Sequence, residues 1–170
     1  GGANKNLSLN STSAVGTDTD FFANTNPTST VFSVGAASNT NRGSEGMIAY
    51  CFRSIKGYSK FGSYKGNGDN DGPFVYTGFK PAVVICKKTS STGDWELYDN
   101  KRDGYNGGNI RIHPNDSAAE GGTGRLSLLS NGFKITNSSG NLNGSGNAFI
   151  YMAFAESPFV NSNGVPTTAR

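Results

Sequence analysis

Pro81-Ala82-Val83-Val84-Ile85-Cys86-Lys87-Lys88 holds five consecutive apolar residues, three of them β-branched. A run this short, closed at one end by proline and at the other by lysines, reads as a strand covered on both faces; a buried helix would need ten residues or more. Upstream, Tyr58-Ser59-Lys60-Phe61-Gly62-Ser63-Tyr64 alternates, with Tyr58, Lys60, Gly62 and Tyr64 on one face and Ser59, Phe61 and Ser63 on the other. That is the period of a strand with two unlike faces. Working outward in both directions, the same signals predict strands at 30–34, 47–53, 57–64, 73–77, 81–88, 94–99, 109–112, 125–129, 132–136 and 147–155. Each is bounded by Gly, Asn, Asp or Pro.

The intervals carry explicit turn chemistry. Asn67-Gly68, Asp71-Gly72, Asp103-Gly104, Asn106-Gly107 and Asn131-Gly132 are expected to supply the positive-φ residues of tight connections. No window repeats apolar positions with the helical period, so little or no helix is expected. The fold class is therefore all-β, an antiparallel sandwich of jelly-roll or lectin-like type. Residues 1–29 give no clear period and read as loop or irregular edge strand.

The chain has 170 residues, enough for one domain or one domain plus part of another, and a compact fold of that length buries roughly 70% of its unfolded surface. Its net charge of +3 arises from 15 basic and 12 acidic side chains that are interspersed, as in Asp94, Glu96, Asp99, Lys101, Arg102 and Asp103. Mixed signs describe a solvated surface, and only Lys87-Lys88 and Lys101-Arg102 hint at the basic clusters of nucleic-acid binders, so nucleic acid is not an expected partner. No apolar run reaches the length of a membrane span, and no charged-then-apolar leader is present. The first residue is Gly, which suggests processing or an upstream region. Cys51 and Cys86 both lie in apolar runs and read as small core residues, with a disulfide allowed but not required and the redox state open.

An internal similarity bears on domain organisation. Phe32-Ser33-Val34, Asn39-Thr40-Asn41-Arg42-Gly43-Ser44, Ile48 and Phe52 resemble Phe133-Lys134-Ile135, Asn141-Leu142-Asn143-Gly144-Ser145, Ile150 and Phe154. Any Asn/Gly-rich hairpin gives a similar pattern; the alternative, which we favour, is a repeat. Residues 1–55 are then the C-terminal part of a preceding repeat, or else N-terminal strands of the same sandwich. Residues 56–157 form the complete unit, and 158–170 a C-terminal tail.

Candidate chemistry is sparse. Asn67, Asp69 and Asp71 place oxygens at alternate positions before Gly72, as Ca²⁺ loops do, but the position of the required bidentate Glu is taken by Gly78. A hairpin turn explains the same residues and is the preferred reading. The single histidine, His113, excludes multi-histidine zinc sites and leaves a Ser-His-Asp set as the one conceivable triad; an ordinary loop histidine is preferred. Asp94 and Glu96 on one strand face could serve glycosidase chemistry, although a solvated face is the better reading. Trp95, Tyr98, Tyr105 and Asn106 could form an aromatic platform with a polar neighbour for a sugar ring, while Trp95 is equally a core anchor.

Gly57-Tyr58-Ser59-Lys60-Phe61-Gly62-Ser63-Tyr64, Gly66-Asn67-Gly68 and Asp71-Gly72-Pro73-Phe74-Val75-Tyr76-Thr77-Gly78-Phe79-Lys80-Pro81-Ala82 together resemble an uncharacterised β-rich C-terminal domain family of marine bacteriophage virion and tail-fibre-like proteins. Tyr98-Asp99-Asn100-Lys101-Arg102, Leu129-Ser130-Asn131-Gly132-Phe133-Lys134 and Ile150-Tyr151-Met152-Ala153-Phe154-Ala155-Glu156 share the resemblance, which covers about residues 45–170. Asp69-Asn70-Asp71 is more acidic than the usual form of that turn. The resemblance implies a virion location and no catalytic or ligand residues. Expected is a non-enzymatic virion structural protein, a tail-fibre or adhesin module contacting host-surface glycan. It would associate with copies of itself, as a trimer for example, and with other virion proteins. A capsid head-decoration or cement protein is the alternative, and a polysaccharide-active enzyme ranks last. No cofactor is expected apart from Ca²⁺ at the loop.

Overall fold

The computed structural model describes residues 2–102 and 109–157. Among these there is no helix, and every sheet is antiparallel. β1 (Lys5–Asn6) and β2 (Gly16–Thr17) form a two-stranded ribbon. The main body runs β3 (Ser59–Lys65), β4 (Phe74–Tyr76), β5 (Pro81–Lys88), β6 (Trp95–Asp99), β7 (Leu126–Leu129), β8 (Gly132–Ile135) and β9 (Ala148–Ala155). One sheet has the order β3-β9-β5-β6 and the other β4-β8-β7.

The continuously apolar run forms β5, an interior strand paired with β6 on one side and β9 on the other. Val84 and Cys86 point into the core and are fully buried, while Val83 and Ile85 are half-buried on the opposite face. The last strand, β9, lies beside the first strand of the body, β3, with Tyr64 opposite Phe149 and Gly62 opposite Tyr151. Gly62 has a packing reason: a Cβ there would sit 2.8 Å from the Tyr151 hydroxyl. Tyr151 and Ala153 share one core with Phe133, Ile135, Leu126 and Leu128 of the second sheet, and the Phe133 and Tyr151 rings meet edge-on at 5.3 Å. The two sheets thus close a sandwich around one core, the arrangement that buries one face of each.

The predicted strands within 57–155 recur with ends shifted by one or two residues, except 109–112, which makes only isolated bridges, Leu97 with Ile112 and Arg111 with Gly121. The predicted strands 30–34 and 47–53 do not form: neither has a ladder partner. Cys51, expected in the core, is exposed for the same reason, whereas Cys86 is buried, and both thiols are free. Of the turn glycines, Gly68 takes the expected positive φ, at 74°. Gly132 is needed for close approach instead, since a Cβ would lie 2.2 Å from the Val75 carbonyl oxygen. Asp103-Gly104 and Asn106-Gly107 lie outside the described residues. No helix among the described residues is long and apolar enough to cross a membrane.

Candidate functional site

Strand β6 carries the charge cluster that the sequence singled out. Alternation along Trp95-Glu96-Leu97-Tyr98 turns Glu96 and Tyr98 toward the core, where both are completely buried. A buried carboxylate is tolerated only with partners. Glu96 has three: the Tyr98 hydroxyl donates to Oε2 at 2.6 Å, Arg125 Nη1 donates to Oε1 at 3.2 Å, and Arg111 Nε lies 3.8 Å from Oε1. Burial, reinforced by the Glu96 charge, pushes the Tyr98 phenol well above its ordinary range, so Tyr98 is a committed donor.

The cluster continues outward through Arg111, whose Nε donates to His113 Nε2 at 2.6 Å. That bond requires Nε2 to accept, so the imidazole proton of the neutral ring is on Nδ1, 3.2 Å from Asp116 Oδ2 and 4.0 Å from Asp94 Oδ2. Asp94 also accepts from Asn115 Nδ2 at 3.1 Å and Asn141 Nδ2 at 2.9 Å, and Asp116 is held below the usual carboxylate range chiefly by the Ala118 backbone N–H.

One ligand atom each from Asp94, His113 and Asp116 lies within 4.8 Å of the others, the spacing of a metal site. To ligate through Nδ1, however, His113 would have to move its proton to Nε2, which would set an N–H against the Arg111 Nε–H. The donor set therefore fits a hydrogen-bonded chain running from Glu96 through Arg111 and His113 to Asp116 better than a metal ion. Its chemical effect is to tie β6 to the 109–116 segment and to β7's flank, each charge answered by the next.

The other sequence-predicted residues are placed as follows. Trp95 is 5% exposed and donates from Nε1 to the Ser8 carbonyl at 3.0 Å, so it anchors the N-terminal segment against the sandwich. With Tyr98 also interior, neither presents a face to a sugar, which corrects the platform reading for both. Tyr105 and Asn106 lie outside the described residues. Asn67, Asp69 and Asp71 form a ladder of side-chain turns: Asn67 Oδ1 accepts from Asp69 N, Asp69 Oδ1 accepts from Asp71 N, and Asp71 Oδ1 pairs with Lys134 Nζ at 2.7 Å. Asn143 Nδ2 reaches the same Asn67 oxygen at 2.9 Å. These oxygens answer N–H groups, the bonding that the expected Asx-rich hairpin turn requires.

Sequence reasoning missed Asn143 and Lys87. Asn143 is fully buried, and Lys87 is as well, donating from Nζ to the carbonyls of Thr12, Lys88 and Gly93 at 3.1, 3.0 and 2.9 Å. The lysine is thereby removed from any basic surface patch, and burial lowers its pKa. A lysine at an inward-capable position of an otherwise apolar strand was the available signal.

The sequence pattern of one family, described as Domain of unknown function (DUF7483), matches residues 1–158. The chain belongs to this family. The match spans both the sandwich and the irregular region before it, so the DUF7483 unit includes both. No curated protein and no solved structure matches the chain.

A second surface feature of this DUF7483 chain is a cleft of about 370 Å³ lined by Ser54, Lys56, Lys60, Tyr76 and Thr77 among others. Tyr76 is 64% exposed, and both lysines are exposed, which brings an open aromatic ring and two ammonium groups to one depression. No sequence signal joined these residues, because the turn at 55–59 and β4 are brought together only by the sandwich.

Proposed function

We propose that this DUF7483 chain is a non-enzymatic module of a phage virion, a tail-fibre or adhesin segment that attaches to host-surface glycan, in particular to acidic sugars. The observation that carries the reading is the Tyr76 cleft. An exposed ring stacks on the C–H face of a sugar, and Lys56 and Lys60 supply the positive charge that a carboxylated or sulfated glycan requires. The ionisable groups of the interior support a non-catalytic role, since Glu96, Tyr98 and Lys87 are held in mutually satisfied bonds inside the fold. Weak single-site binding suits a virion, where many copies act together and linked sites raise the effective concentration.

The test is saturation-transfer NMR of the chain with an acidic oligosaccharide panel, paired with immunogold labelling of intact particles. The reading expects transfer to a carboxylated or sulfated sugar that Tyr76→Ala removes, and gold on tail appendages. Gold spread over the head would replace this reading with the capsid-decoration alternative. Transfer that survives both Tyr76→Ala and Lys60→Ala would remove the cleft as the site.

A further inference from the structure

Residues 139–143 form a tight turn between β8 and β9 in which Leu142 N and Asn143 N donate to the Ser139 carbonyl and Asn143 Nδ2 donates to the Asn137 carbonyl. Residues 37–41 repeat it: Thr40 N and Asn41 N donate to the Ala37 carbonyl, and Asn41 Nδ2 donates to the Gly35 carbonyl. The next bond recurs too, Glu45 N to Arg42 O matching Asn147 N to Gly144 O. These positions, and the pairs Ile48 with Ile150 and Phe52 with Phe154, are separated by one constant offset, 143 − 41 = 102 residues. A chance Asn/Gly hairpin would share composition but not a set of bonds in one register.

The two copies differ in what surrounds them. In 125–155 the turn is clamped by the segment carrying β3 and its following loop. Tyr64 Oη donates to the Leu142 carbonyl, Gly68 N to the Asn143 carbonyl and Asn67 N to Asn143 Oδ1, while Asn143 Nδ2 donates back to Asn67 Oδ1 and the Asp69 carbonyl. The Tyr64 ring fills the space between β8 and β9, touching Phe133 and stacking on Phe149. Around 37–41, nothing among the described residues donates to the corresponding carbonyls of Thr40 and Asn41 or to Asn41 Oδ1. Where strand equivalents 31–34 and 49–53 face one another there is an open cleft of about 900 Å³ lined by Val31, Phe32, Tyr50 and Phe52.

We infer that residues 21–53 are the C-terminal half of a second sandwich of the same kind, and that their partner is a chain segment with the sequence pattern of residues 57–99 from another unit of the family. Such a segment would bring a Tyr64-type ring into the apolar cleft and a Gly-Asn-Gly loop onto the Asn41 turn, placing 47–53 between two strands as β9 lies between β3 and β5. A second copy of this chain offers only a 57–99 segment already closed by its own β9, so the fitting occupant is an unclosed half. The result is a chain of sandwiches joined unit to unit. This inference does not depend on the glycan or virion reading.

The experiment fuses a second copy of residues 57–124 ahead of Gly1 through a flexible linker and follows amide hydrogen exchange, with a shuffled 57–124 sequence as control. Exchange at 47–53 should slow by about 100-fold or more in the fusion and not in the control, with the protection lost on Val31→Asp, the counterpart of buried Phe133, while 148–155 stays protected. Unchanged exchange at 47–53 in the fusion would overturn the inference. So would protection that appears in the unfused chain together with a dimeric mass, because the occupant would then be a second copy.

Discussion

Residues 125–155 and 21–53 share a turn, a hydrogen-bond register and an apolar pattern, yet one half is the centre of a sandwich and the other stands open. In the same register, Phe133 and Phe149 are buried while their counterparts Val31 and Met47 are 62% and 51% exposed, and buried Ala153 answers to exposed Cys51. Local sequence therefore sets the turn, and the strands become strands only when a partner satisfies their edges and covers their face. The turn survives alone because all its bonds lie within a few residues; a ladder needs chain from elsewhere.

The largest effect that would sharpen this contrast comes from charge. Glu96→Ala removes the acceptor that Arg125 and Tyr98 share inside the core, and should cost about 3–5 kcal/mol of unfolding free energy by denaturant titration. Glu45→Ala removes the exposed Arg42 pair of the open half and should change stability by less than about 0.5 kcal/mol. Comparable losses in both would break the distinction between a closed and an open half.

Next is the shared asparagine. Asn143→Ala leaves buried groups of the Asn67 loop without partners and should cost about 2–4 kcal/mol, measured as a shift in the urea midpoint. Asn41→Ala touches a single bond on an exposed residue and should leave that midpoint in place.

A pH series separates the halves by their titratable groups. Burial raises the Cys86 thiol from 9.0 to about 12, and the Tyr64 and Tyr98 phenols are also raised. Below about 9 the thiol is protonated in both the folded and the unfolded chain, so its contribution is fully present. Between there and about 12 the unfolded chain releases the proton and the folded one keeps it, and stability should fall by roughly 1.4 kcal/mol per pH unit for that group. Thermal midpoints that stay level from pH 9 to 11 would contradict the buried placement.

The smallest perturbation is a label. A thiol reagent at neutral pH should modify exposed Cys51 in the native protein and reach Cys86 only after unfolding, as read by peptide mass. Equal labelling of both would contradict their placement.

These contrasts also show what the sequence could convey. Strands β5 and β9 were legible because an interior strand is apolar in almost any alternative packing, and the repeat was legible from Asn41 and Asn143 with their flanks. Whether 47–53 pairs could not be read, since Met47-Ile48-Ala49-Tyr50-Cys51-Phe52 carries the same strand signal with or without a neighbour. The sequence leaves Trp95 and Tyr98 open between a platform and a core because aromatic residues near acidic ones look alike in a sugar site and in a core with one buried carboxylate. The Tyr76 cleft unites residues from a turn and a distant strand, so only the tertiary arrangement reveals it.

The measurement that bears most directly on the difference between the two halves is residue-resolved amide exchange on the chain itself at low concentration. Protection at 148–155 near the level of global unfolding, with 47–53 exchanging at close to unprotected rates, is the expected result. Similar protection in both segments would mean that 21–53 is already closed within the chain, and the account of a complete and a half-built sandwich would be wrong.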